Sequence, residues 1–292
     1  MDYLRLLNSS IKHNMPELCD MAASSDSVIF TKDLFRSFDT KMGLVKAVDG
    51  IHLNVKHGEI FGLIGPDGAG KTTTMRLLVG AIRATSGIVT MQGINVAQNP
   101  DAVRRHIGYM PQKFSLYGDL TVDENMKFFA DLYGVTGEAF MTRRRELLAF
   151  SHLDEHVKKF AKSLSGGMQK KLALSCNLFH APDILILDEP TNGVDPVSRR
   201  ELWGLLYDLL GRGTTILVST PYMDEAERCT RISLLYDGKV LYCGTPTSLI
   251  KGQREEPRSQ SLEKGVRHAI QSPFEEAFMS LIQKHREGIC PL

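Results

Sequence analysis

The chain has 292 residues, enough for one large domain or two small ones, and its 42% hydrophobic and 24% charged side chains are the composition of an ordinary globular protein. A net charge of +1 leaves no basic footprint, which argues against nucleic acid as a partner and against bulk attraction to an anionic membrane. No run approaches the roughly 18 consecutive apolar residues of a spanning helix, and the opening MDYLRLLNSSIKHNMPELCD mixes acids and bases in a way unlike a secretory signal.

Five cysteines, odd in number and without a C-x-x-C pair, suggest neither a zinc site nor a disulfide framework, and so a reducing cytoplasm. Residues 1–26 are polar and read as a poorly structured or helical N-terminal extension, joined by a Ser-rich linker to a core beginning near Val28. Val28–Leu34, Ile51–Val55 and Ile88–Met91 are predicted as antiparallel strands with Lys-His-Gly and Gln-Gly turns beside them.

Glu59–Ile64 (EIFGLI) is a short apolar strand and Lys71–Val79 (KTTTMRLLV) is helix-compatible. Between them stands Gly65-Pro66-Asp67-Gly68-Ala69-Gly70-Lys71-Thr72-Thr73. This meets the phosphate-loop pattern G-x-x-x-x-G-K-[ST] in the required strand–loop–helix setting. Its glycines let the backbone wrap a polyphosphate at a helix N-terminus. Lys71 then reaches the β- and γ-phosphates, and the Thr72 hydroxyl is placed to ligate Mg²⁺.

Further along, Thr121 with Glu124 forms a capping box for a helix through Asn125–Leu132, inside a helix-rich insert from about Lys113 to Ser163. Leu164-Ser165-Gly166-Gly167-Met168-Gln169 opens a helix over Gln169–Leu178. In isolation that is a capped helix with a glycine hinge; beside the phosphate loop it is a second anion-binding surface, with a hydroxyl, close backbone approach and a positive helix end. Ile184–Leu187 and Thr214–Ser219 are continuously apolar or β-branched, as strands buried on both faces of a parallel sheet are. The first ends in Asp188-Glu189, where one acid holds Mg²⁺ and the next orients an attacking water. Asp195-Pro196 starts a helix over Val197–Leu210, and Tyr236-Asp237-Gly238-Lys239 is a hairpin turn. After Gly252 the chain turns strongly polar before an amphipathic stretch at Phe274–Ile282; no internal repeat is visible. The fold class is therefore α/β: a P-loop nucleoside triphosphatase core with an antiparallel β subdomain and a helical insert.

Gly65–Thr73, Leu164–Gln169 and Asp188-Glu189-Pro190-Thr191, in this order and spacing, resemble the ATPase domain of ABC transporters over about Val28–Leu249. On that resemblance residues 27–250 are the ATPase domain and 251–292 a C-terminal extension. It implies ATP and Mg²⁺ as cofactors, with Thr72, Gln112 and Asp188 toward the metal and Glu189, Lys71 and Gln112 in catalysis. Phe38 falls where the family stacks an aromatic on adenine. Ser165, Gly166, Gly167 and Asp195 would meet the nucleotide of a second ATPase domain in a head-to-tail pair. The stretch Lys46–Pro66, with Tyr222–Glu227, is closest to the drug-resistance and polysaccharide exporter branch. Subunits of that branch serve a separate multi-spanning permease, which would hold the chain on the cytoplasmic face of the membrane, with the insert including Phe114–Leu120 as the coupling element.

Two positions depart from the family pattern. Asp67 replaces a commoner asparagine, and Pro221 stands where the family has a histidine contacting the γ-phosphate. Proline supplies neither a side-chain donor nor an N–H, and loss of one pre-organised donor typically costs on the order of 10²–10³ in rate. The expectation is a weakened site paired with a histidine-bearing partner, a homodimer being the other arrangement. Two other readings stay open: a soluble ATP-dependent switch, such as an assembly or translation factor, and a nucleotide-binding scaffold that never turns over.

Overall fold

Strands buried on both faces form the centre of the molecule. In a computed structural model describing residues 26–41, 43–113, 116–254 and 272–287, β1 (Ser27–Thr40), β2 (Gly43–Lys56), β4 (Ser86–Met91) and β5 (Ile94–Asn95) pair antiparallel in the order β2-β1-β4-β5. The second sheet has the order β10-β9-β3-β8-β7-β6. Here β3 (Ile60–Ile64), β6 (Ile107–Met110), β7 (Ile184–Asp188), β8 (Thr215–Thr220) and β9 (Arg231–Tyr236) run parallel, and β10 (Lys239–Gly244) closes one edge antiparallel. Every residue of β3, β7 and β8 is buried, which is why these runs carry no polar alternation.

Alternate residues of those strands feed two cores. Ile60, Ile64, Leu185 and Leu187 face a cluster that includes Trp203. Phe61, Leu63, Ile184 and Ile186 face another, shared with the antiparallel sheet and with α1 (Lys71–Leu78). Full burial of side chains such as these contributes about 1.5–3 kcal/mol each, so both layers are held firmly against the central sheet.

The helices follow their start signals. After α2 (Pro100–Arg104) comes α3 (Val122–Leu132), where Thr121 Oγ1 accepts from Glu124 N at 3.2 Å while Glu124 Oε2 accepts from Thr121 N at 2.8 Å. That is the predicted capping box. The insert continues through α4 (Gly137–Ser151) to α5 (Gly166–Cys176), followed by α6 (Pro196–Gly211), α7 (Met223–Ala226), α8 (Pro246–Arg254) and α9 (Pro273–Arg286).

Several bounds differ from expectation. β1 and β2 run well past Leu34 and start before Ile51, because their outer ends pair through the backbone from Arg36↔Val48 to Thr40↔Gly43. Leu44 and Val45 are exposed there, so no burial pattern marks the extension. α5 begins at Gly166, three residues earlier than predicted, because Ser165 supplies its cap. α9 outruns Phe274–Ile282 and packs Phe274, Ala277, Phe278, Leu281 and Ile282 into the larger core. Cys243 is disulfide-bonded, against the expectation from scattered cysteines; pairing follows proximity in space, which spacing along the chain does not encode. Among the described residues no helix is long and apolar enough to cross a membrane. The readings made for residues 1–25, 114–115, 255–271 and 288–292 lie outside the described residues.

Candidate functional site

Because β3, β8, β7 and β6 are parallel neighbours, their C-terminal ends fall on one edge of the sheet, where ligands of open α/β sheets bind. β3 releases the Gly65 loop, β6 leads to Gln112, β7 ends in Asp188, and β8 ends just before Pro221.

The loop is wedged between β2 and the β9–β10 hairpin. Gly65 N donates to Thr220 O at 3.4 Å, Ala69 N to Pro66 O at 3.2 Å, and Gly238 N to Ala69 O at 3.2 Å. A Cβ on Gly65 would sit 2.3 Å from Leu235 O; one on Gly70, whose φ is +101°, would sit 2.3 Å from Ala47 O. Glycine is therefore demanded by protein packing as well as by a ligand. Gly68, Asp67 and Pro66 form the outer part of the loop, with Asp67 and Gly68 exposed. α1 opens without a side-chain cap and with no acid in its first turn. Its first N–H groups, next to Thr72 and Thr73, are thus left for an anion.

Behind the loop lies a polar cluster in which Lys71, Asp188, Glu189 and Ser219 are buried and Gln112 and Asn192 are exposed. Lys71 is 3% exposed, and its Nζ donates to Gly65 O at 2.8 Å and Pro66 O at 3.0 Å while facing Glu189 Oε1 at 3.3 Å. Glu189 Oε2 accepts from Gln112 Nε2 at 2.7 Å and from Asn192 Nδ2 at 3.0 Å. Its backbone is left-handed, φ +49°, a conformation that costs on the order of 1–3 kcal/mol and persists where surroundings over-determine it. Asp188 Oδ1 accepts from Ser219 Oγ at 2.6 Å, whereas Oδ2 is buried without a partner. Near the acids, burial pulls the Lys170 ammonium below the ordinary lysine range, with the charges of Glu189 and Asp188 acting in the opposite direction. Lys71 and Gln112 are thereby joined through Glu189, with Asp188 as its neighbour in the chain.

Two members of this cluster were not singled out in the sequence. Asn192 lies in an Asn-Gly pair that reads as a turn. Ser219 is a hydroxyl inside a doubly buried strand, and that is itself a signal, because buried polar groups are hydrogen-bonded to something specific.

Ser165, Gly166, Gly167 and Asp195 assemble elsewhere. Ser165 Oγ accepts from Met168 N at 3.3 Å, and Asp195 Oδ1 accepts from Val197 N at 3.1 Å and Ser198 N at 3.0 Å. The bonds from Ser198 hold the Asp195 carboxyl below the usual carboxylate range. A Cβ on Gly167 would meet Ser198 Oγ at 2.3 Å, and one on Gly166 would lie 3.4 Å from Gly193 O. The two loops are therefore one exposed surface. Among the described residues no hydrogen bond or ion pair joins it to Gly65–Thr73. A cleft of about 530 Å³ is lined by Gln112, Gly166, Lys170 and Gly193. Phe38, half-buried on β1 opposite Val45, lies with the Arg36 guanidinium 4.5 Å from its ring centroid.

Beyond β8 the chain is clamped. Thr220 Oγ1 accepts from Tyr222 N at 3.1 Å, and the Arg199 guanidinium lies 4.3 Å from the Tyr222 ring centroid. Arg199 pairs with the buried Glu225 at 3.6 Å, and Glu225 Oε2 accepts from Thr191 Oγ1 at 3.1 Å. Pro221 sits half-exposed in this held turn.

Known proteins resemble this chain in sequence and fold. Residues 48–192 match the family described as ABC transporter. The chain is 44% identical over 227 residues to the probable multidrug ABC transporter ATP-binding protein YbhF of Escherichia coli (strain K12), covering 77% of this chain and 38% of that protein. It thus spans well under half the length of that relative. It is 38% identical over 220 residues to the Nod factor export ATP-binding protein I of Burkholderia orbicola (strain AU 1054), covering 75% and 72% of the two chains. Among solved structures, the ATP-binding subunit of an ABC transporter superposes with a TM-score of 0.71 at 28% identity, over 88% of this chain and 100% of that one. A dimeric ATP-binding cassette in a post-hydrolysis state bound to ADP and Pi gives 0.68 at 26% identity, over 74% and 98%.

Proposed function

The chain belongs to the ATP-binding proteins of ABC transporters, and from that premise we propose that it binds and hydrolyses ATP to power an exporter through a separate membrane permease. The observation that carries this reading is the buried Lys71–Glu189 pair, reached by the amide of the exposed Gln112, at the mouth of the uncapped α1. Burying a lysine and a carboxylate so deeply carries a desolvation cost, and such buried charges cluster at functional sites.

The residues fit a triphosphate with a divalent cation. Asp188 Oδ2 is a buried acceptor with no protein partner. Among the described residues no group of three or more His, Cys, Asp or Glu side chains could hold a metal alone. That suits Mg²⁺, which takes one or two carboxylates and completes its sphere with phosphate oxygens and water. Asp188, Thr72 and Gln112 would hold it, and when bound it neutralises charge on the phosphates. Lys71 and the N–H groups of residues 65–73 bind the phosphates. Glu189, once Lys71 turns to phosphate, orients water and receives its proton, and the Gln112 and Asn192 amides hold the carboxylate in place.

In this reading residues 27–250 form the ATPase domain, with 1–26 and 251–292 as extensions, and Phe38 stacks on adenine. The Ser165–Asp195 surface closes on the nucleotide of a second ATPase domain, head to tail. Pro221 weakens this chain's own site, so the preferred partner bears a histidine there, and the exposed Tyr117, Phe128 and Phe160 of the insert meet the permease on the cytoplasmic face. The export direction is supported by the Nod factor export and multidrug relatives. Single-turnover ATP hydrolysis by the purified chain, with Glu189→Gln as control, tests the chemistry. Co-purification with a multi-spanning membrane protein tests the role; recovery with ribosomes instead would favour the soluble-switch reading.

A further inference from the structure

Ser219 occupies a position that neither the phosphate loop nor the paired acids account for. It is fully buried, one residue before the end of β8, directly across the ladder from Asp188. Its hydroxyl makes two bonds at once: it donates to Asp188 Oδ1 at 2.6 Å and accepts from Glu189 N at 3.0 Å. A hydroxyl has one proton to give, and here it is committed to one carboxylate oxygen. The other oxygen, Oδ2, is left buried and unpaired. The same hydroxyl, together with the Ser219 carbonyl, which accepts from Glu189 N at 3.2 Å, restrains the peptide that carries Glu189, where the chain turns left-handed just past β7.

We infer that Ser219 is a positioning residue for the site: it selects Oδ2 of Asp188 as the oxygen presented to the cation and pins the backbone from which Glu189 projects. The inference rests on the reading of the site as one for MgATP. Free to rotate, the Asp188 carboxylate could turn either oxygen toward the sheet edge. Tied through Oδ1, it offers a single fixed acceptor at the sheet edge. Partners that orient a metal-binding carboxylate typically change metal affinity by about 10–100-fold when removed.

The test uses the full chain with Mn²⁺ as the probe, bound in the presence of ATP and followed by electron paramagnetic resonance, alongside ATP binding in EDTA. Ser219→Ala is expected to weaken Mn²⁺ binding about tenfold or more, to leave metal-free ATP binding close to wild type, to lower the melting temperature because the buried Asp188 carboxylate loses its Ser219 partner, and to lower kcat more than it raises KM. Ser219→Thr, which keeps the hydroxyl, restores Mn²⁺ binding, whereas Ser219→Cys, which keeps the volume but is a poor donor, does not. Wild-type Mn²⁺ affinity in Ser219→Ala, or no rescue in a normally melting Ser219→Thr, overturns the inference while leaving the functional reading intact. Failure of the unmodified chain to bind ATP at all would instead sink the functional reading.

Discussion

The Lys71–Glu189 centre and the Ser165–Asp195 surface both have the chemistry of an anion site, yet they are built in opposite ways. At the first, every charged group is buried and answered by a group of the same chain: lysine by carboxylate, carboxylate by two amides, the second acid by a serine. At the second, the polar groups satisfy only the ends of their own helices, and the surface stays exposed. A buried ion pair left incomplete is strongly destabilising, so a chain must finish such a centre by itself. An exposed helix start is solvated at little cost and can wait for a partner. In the proposed head-to-tail pair, the difference would separate what one chain folds from what two chains share.

The comparison is broken most directly at Lys71. Lys71→Met leaves Glu189 buried without its cation and should lower the unfolding free energy by about 3–5 kcal/mol, read from urea titrations; Ser165→Ala should cost only about 1 kcal/mol, as a lost cap does. Equal costs would end the distinction. Glu189→Gln keeps the volume and removes the base, so hydrolysis should fall on the order of 10²–10³ in single-turnover phosphate release while ATP still binds. Just beneath the exposed surface, at the buried Gly167, Gly167→Ala drives a methyl into Ser198 and should cost about 1–3 kcal/mol by overpacking. The double variant with Ser198→Gly should recover most of that cost, since the atoms in conflict are Oγ and Cβ of Ser198. Pro221→His should raise turnover about tenfold or more by returning a donor to the γ-phosphate side. An unchanged rate with normal ATP binding would remove Pro221 as the reason for a weak site.

The smallest effect lies away from both regions. His180 Nε2 bonds Ile107 O at 2.9 Å, its ring stacks on Tyr133, and burial holds its pKa below the ordinary histidine value of 6.5. The unfolded chain therefore binds a proton at a pH where the folded chain does not, and stability must fall as the pH drops below 6.5. His180→Gln, which keeps a side-chain donor, should flatten that part of the curve measured by thermal melting.

What was legible along the chain was local. The Gly65–Thr73 loop declares itself because a phosphate cradle needs glycine, lysine and a hydroxyl within nine consecutive positions. Thr121 with Glu124, and Asp195 with Pro196, name their helix starts because a cap spans only three residues. The doubly buried strands are recognisable from continuous apolar runs. Even the site's principal acids stood out, since they end such a run.

Tertiary structure alone decided who meets whom. Gln112 reaches Glu189 across 77 positions and Ser219 reaches Asp188 across 31, and neither pairing is encoded by any spacing. Both follow from strand order, which places β8 and β6 on either side of β7. That order is set by how the two cores and the crossover helices pack together, a property of the whole fold rather than of any window of sequence. For the same reason the chain announced its glycines, but only the folded neighbours, Leu235 O and Ala47 O, show that no larger residue fits there.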